Sequence, residues 1–154
     1  MSLRAELYCR DARAHATRAC QLTVLGRLQS LVASGALDGV SVATWPDRVV
    51  DTDDLSGPTL AVYHLFEEWA LHSGVSIRPG FDVHHCHSGY TGADYTATIL
   101  PVMALALFDD DELVAVYPHS TDGRIQSVLD GLAWLESERL GTTEADGSTG
   151  QRPV

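Results

Sequence analysis

The sequence predicts an α+β two-layer sandwich, and three observations carry that expectation. Residues 3–10 alternate strictly, residues 14–33 repeat with a helical period, and residues 81–117 crowd several strand-like runs together. In the first segment Leu3, Ala5, Leu7 and Cys9 point one way and Arg4, Glu6, Tyr8 and Arg10 the other, the signature of a half-buried strand. Ala16, Cys20, Val24, Leu28, Leu31 and Val32 then make one helical stripe, which Ser34-Gly35 closes. Val40 to Trp45 is a second short strand, stopped by Pro46. Together they form a βαβ unit, whose outer strands run parallel in one sheet.

Residues 46–57 are a polar link rich in Asp. Ser56-Gly57-Pro58 starts a second helix, with Pro58 suited to its first turn. Val62, Leu65, Phe66 and Trp69 are its expected core stripe, and Ser73-Gly74 its stop. A strand over Phe81–His87 precedes a loop marked by Gly89, Gly92 and Asp94. Thr98 to Phe108 is apolar at nearly every position, as in a central strand covered on both faces. Asp109 to Asp111 form a solvated turn, and Glu112 to Tyr117 return as the second hairpin strand until Pro118. Ser120, Thr121 or Asp122 caps a last helix with the stripe Ile125, Val128, Leu129, Leu132 and Leu135.

The resulting order, β-α-β-α-β-β-β-α, is related to a ferredoxin-like layout, with helices mainly on one sheet face and an extra strand. A winged helix-turn-helix needs two or three packed helices before a hairpin, which the strand at 3–10 fits poorly. Residues 1–140 read as a single domain, and 141–154, without periodicity, as a mobile tail. A chain of 154 residues is long enough to bury roughly 70% of its unfolded surface.

Charge narrows the setting. Asp and Glu number 21 against 10 basic residues, every one of them Arg, for a net charge of −11. Repulsion of that size destabilises a compact state unless salt screens it, and at molar salt the screening length is about 3 Å. A halophilic cytoplasm is the expected home. No apolar run approaches the roughly 18 residues of a membrane helix, and the N-terminus lacks a signal-peptide core. Three cysteines without a CxxC pair fit a reducing compartment.

The charge is uneven. Residues 1–36 hold five Arg against Glu6 and Asp11, whereas the rest holds five Arg against nineteen acids. Arg10, Arg13, Arg18 and Arg27 are therefore the candidate nucleic-acid contacts, through phosphate. The plainer reading is that they complement acidic neighbours within the fold. His84, His85, Cys86 and His87 are the one local cluster of metal-ligand types. On a strand His85 and His87 share a face, and His119 or Cys9 could complete a zinc set of three or four ligands. The plainer reading here is an edge strand with exposed histidines. His64 and Glu68, one helical turn apart, read as a surface pair. No GxSxG, HExxH, GxxxxGK[ST] or GxGxxG signature occurs, so the reading leans away from an enzyme.

Phe66-Glu67-Glu68-Trp69-Ala70, Leu100-Pro101-Val102 with Leu105-Ala106-Leu107-Phe108, and Val116-Tyr117-Pro118 followed by Val128-Leu129-Asp130-Gly131-Leu132 carry a likeness. Over about residues 3–136 the chain resembles a family of small haloarchaeal "HTH domain" proteins of unknown function. The resemblance implies a transcription-regulator-like, DNA-binding role. The expected functions are therefore a regulatory or interaction protein, with a homodimer formed through the apolar sheet, or a sensing module built on His84–His87.

Overall fold

The computed structural model describes residues 2–11, 14–53 and 56–147, with 139–147 as helix backbone. Its order is β1 (Leu3–Arg10), α1 (His15–Ala33), β2 (Gly39–Trp45), β3 (Arg48–Val50), α2 (Gly57–Ser73), β4 (Asp82–His87), β5 (Asp94–Ile99), β6 (Met103–Asp109), β7 (Glu112–Tyr117), β8 (His119–Thr121), β9 (Arg124–Gln126) and α3 (Val128–Gly147). The main sheet runs β2-β1-β6-β7, the second β3-β5-β4, and β8-β9 is a separate hairpin.

β1 and β2 are parallel, as the crossover through α1 requires, and β1 pairs antiparallel with β6. Both faces of this sheet are covered. On one, α1 (Val24, Leu28, Leu31) and α3 (Val128, Leu132, Leu135) pack on Ala5, Leu7, Cys9, Leu105 and Leu107. That is the α+β layering the sequence predicts, with two of three helices on one side. On the other, α2 contributes Tyr63, Phe66 and Ala70 to an aromatic core with Trp45, Phe81 and Phe108. Burying each of these larger side chains removes enough apolar surface to contribute about 1.5–3 kcal/mol.

Several elements differ in detail from the sequence expectation. The apolar run 98–108 is two strands, not one: β5 lies in the second sheet and β6 in the main one. Pro101, which has no N–H to give a ladder, sits at the corner between them. Side chains from three elements close that corner. The Arg10 guanidinium donates to the Leu100 carbonyl, the Trp45 indole N–H to Pro101 (3.1 Å) and the Gln21 amide to Val102 (3.3 Å). The Asp-rich link contains β3, which pairs with β5 through Val49 and Thr98.

α2 starts and stops where expected, with Gly74 in the left-handed conformation at its end (φ 71°). Its buried stripe is rotated from the expected one, however: Tyr63, Phe66 and Ala70 face inward, while Leu65 is exposed. In α1, Gln21 replaces Cys20 in the buried stripe and Ala16 is exposed. Ser120, Thr121 and Asp122 belong to the β8-β9 hairpin rather than to a helix cap, and Asp122-Gly123 form its turn with positive φ at both positions.

The cap of α3 is Ser127. Its N–H donates to Asp130 Oδ2 (2.8 Å) and its hydroxyl accepts from the Asp130 N–H (3.2 Å), a reciprocal capping box. The Ser127 N–H first, and then the Ser127 hydroxyl donating to the same Oδ2 (3.1 Å), hold the Asp130 carboxyl below its usual range. Gly131 lets α3 settle onto Tyr117, since a Cβ there would lie 2.6 Å from the ring. α3 continues to Gly147, into the segment read as tail; residues 148–154 lie outside the described residues.

Candidate nucleic-acid interface and the histidine strand

The five Arg of the N-terminal segment have different fates. Arg4 is paired with Glu6 at 2.7 Å and lies 4.3 Å from the centre of the Phe108 ring. Arg10 turns into the inter-sheet corner, where its Nε is buried without a hydrogen-bond acceptor among the described residues. Arg27 grips Glu136 of α3 with two bonds of 3.0 and 2.5 Å, and that hydrogen bonding raises its pKa further. Arg13 lies outside the described residues. Arg18 is exposed on α1 and makes no ion pair among the described residues.

Arg18 stands on the part of α1 that reaches past the core. The buried stripe begins only at Gln21, whose amide also donates to the Arg10 carbonyl at 2.9 Å. Before it, His15, Ala16, Arg18 and Ala19 are exposed. The first turn contains no acid, and Ala14 provides no side-chain cap; Asp11 borders a cleft beside Arg18. That cleft, of about 140 Å³, lies between this half of α1 and β2 and is also lined by Arg18, Leu22, Leu25, Val42 and Thr44.

The His84–His87 cluster lies on β4, one of the two outer strands of the second sheet. As the alternation requires, His85 and His87 share a face. His85 Nδ1 is 3.3 Å from Thr96 Oγ1, and His87 Nδ1 is 2.8 Å from Asp94 Oδ1. His84 turns to Asp82, 3.4 Å away, and Cys86 is half-buried. Asp51 borders the same shallow depression and accepts the Thr96 N–H at 3.0 Å.

The structure does not bring the proposed further ligands there. His119 is on β8, its ring against Trp69 and Tyr117, and its Nδ1–H donates to the Val116 carbonyl at 2.6 Å. Cys9 is buried in the aliphatic core, where burial raises its thiol pKa. Among the described residues no group of three or more His, Cys, Asp or Glu is placed to hold a metal ion. His64 faces Glu67 at 3.8 Å rather than Glu68.

The whole of this architecture, from β1 through the first part of α3, falls within one family. Residues 1–140 match the model of a helix-turn-helix domain family. The chain belongs to that family. No curated protein and no solved structure gives a significant match. In this helix-turn-helix family member strands separate the helices: β2 and β3 stand between α1 and α2, and β4 to β9 between α2 and α3. Family membership points to DNA binding and a regulatory role. No helix among the described residues is long and apolar enough to cross a membrane.

The open flank of α1 against β2 is a feature that charge and motif reading passed over. Its signal in the sequence is the uncharged run Gly39–Trp45 within so acidic a chain.

Proposed function

We propose that the protein is a DNA-binding regulatory protein of a high-salt cytoplasm, acting as a pair of copies, with the exposed half of α1 against the phosphate backbone. The family match over residues 1–140 carries this reading. The disposition of the arginines supports it, because Arg18 projects where Arg4, Arg10 and Arg27 are engaged within the fold. The uncapped start of α1 adds backbone N–H groups of the right polarity for phosphate. At molar salt only such short-range contacts survive screening.

Mobility-shift titration with duplex DNA at several salt concentrations tests the reading. Arg18→Ala is expected to weaken binding evenly across sequences and to lower the salt slope by about one. Arg27→Ala should do less, since Glu136 already holds that charge. A protein that ignores duplex DNA at every salt concentration overturns the proposal. The alternative reading, sensing through His84–His87, lacks an assembled ligand set among the described residues.

A further inference from the structure

We propose that the outer edge of β2 is the surface through which two copies of this chain pair, their β2 strands antiparallel and their main sheets joined into one. The inference names the surface for the paired copies of the functional reading and rests on that part of it, not on DNA.

The edges of the sheets are treated differently. β7 carries Glu112 and an irregularity where Leu107/Phe108 meet it. β4 carries Asp82 and three histidines, and β3 has three residues headed by Arg48. Charge, irregular register and shortness are the means by which proteins keep an open strand from pairing with another chain. β2 has none of them. Its seven residues, Gly-Val-Ser-Val-Ala-Thr-Trp, hold an unbroken register with β1 from Gly39 to Trp45. They include no charge and no Pro, and Ser41 to Thr44 are all exposed. No other described segment pairs with the outer side.

Charge and shape both favour a second copy as the partner. At a net charge of −11, two chains repel over most of their surfaces, but this strip is neutral. Pairing of identical strands about a two-fold axis at Val42 sets Val40 opposite Thr44, Ser41 opposite Ala43, and Val42 opposite its counterpart. An axis perpendicular to the sheet keeps both α1 helices on the same side. Arg27 turns one flank of α1 toward α3, and Leu22 and Leu25 lie on the flank beside Val42. The two-fold brings these outer flanks together. Leu22 is 57% exposed and Val42 51%, and the pairing covers both. An unrelated extended peptide would satisfy the backbone of β2 but would leave Leu22 open.

Light scattering on the full chain in molar salt tests this, with Val42→Asp, Val42→Arg and their equimolar mixture beside the parent. The parent is expected at twice the chain mass of 16.6 kDa, each variant at the single mass, and the mixture again at twice that mass. A monomeric parent overturns the proposal, and so does a dimer that survives in both variants or a mixture of folded variants that stays monomeric. If circular dichroism shows either variant unfolded, Val42→Cys decides. Under copper-catalysed air oxidation, a disulfide-linked species of doubled mass, which the parent does not form, supports the edge pairing, and its absence sinks it. Mobility shifts on the same samples report DNA binding separately, so failure of the pairing and failure of the DNA reading are told apart.

Discussion

The two faces of the main sheet are built from different chemistry. Toward α1 and α3 the core is aliphatic, with Leu7, Leu28, Leu105, Leu107 and Leu132 fully buried. Toward α2 it is aromatic: Tyr8 stacks on Trp45 at 4.9 Å, while Phe66 and Phe81 meet edge to face at 5.8 Å. The aliphatic face is made by two long helices laid on strands. The aromatic face is made by one helix, α2, together with rings drawn from β1, β2, β6 and the turn before β4. Large rings can bridge a single helix to scattered short elements, and their edge-to-face geometry adds about 0.5–1.5 kcal/mol per pair beyond burial.

The contrast can be broken most directly with matched truncations. Phe66→Ala removes a completely buried ring that touches Tyr8 and Phe81, and it is expected to cost about 4 kcal/mol in denaturant unfolding. Leu28→Ala on the opposite face should cost about 3 kcal/mol. Equal or reversed losses would show that the rings do not bind the aromatic side together. Gly131→Ala is the next largest effect, about 1–3 kcal/mol, because its Cβ meets the Tyr117 ring and α3 must lift from the aliphatic face. Trimming Tyr117 to Val in the same chain should recover part of that loss in a double-mutant cycle.

The smallest effect lies in alkaline solution. Burial, and then the hydrogen bond to Glu67, push the Tyr63 hydroxyl from 10.0 up to about 12. The folded state therefore holds this proton more tightly than the unfolded chain. The stability it contributes is complete below pH 10 and is lost as the pH rises from about 10 to about 12. Spectrophotometric titration should show Tyr8, Tyr63 and Tyr117 ionising late, burial raising all three, and Glu67→Gln should bring only the Tyr63 step earlier without restoring its ordinary value. A Tyr63 that titrates normally would mean that its hydroxyl is open to water.

Much of the aliphatic side was legible in the sequence. Strict alternation in β1 and the stripes Val24-Leu28-Leu31 and Val128-Leu132-Leu135 are periodic signals that sit where periodicity puts them, whereas Ile125, expected in the last stripe, lies on β9, and both it and Leu129 are exposed. The aromatic side was less so. Tyr63 and Leu65 lie on nearly opposite sides of α2, but apolar residues flank Phe66 on both sides, and the position of Phe81 and Phe108 decides which flank turns inward. The run 98–108 hid a boundary between two sheets, because buried strands in either read as continuous apolar residues. Pro101 was its one visible mark. The basic residues were countable, but their partners were not: Glu136 is 109 positions from Arg27, and the carbonyl that takes Arg10 belongs to a bend not visible as one. The histidines on β4 alternate as expected, whereas the distance of His119 from them depends on a β8-β9 hairpin that the run of Ser and Thr did not announce.

The fastening of residues 100–102 has a mechanical consequence. Three successive carbonyls at the bend are tied to a strand, a helix and a second strand of the βαβ unit. The second sheet is thereby riveted to the N-terminal unit instead of hanging from it by a hinge. A load applied at β5 reaches Gln21 through Val102, at the point where α1 leaves its bed and runs free into solvent.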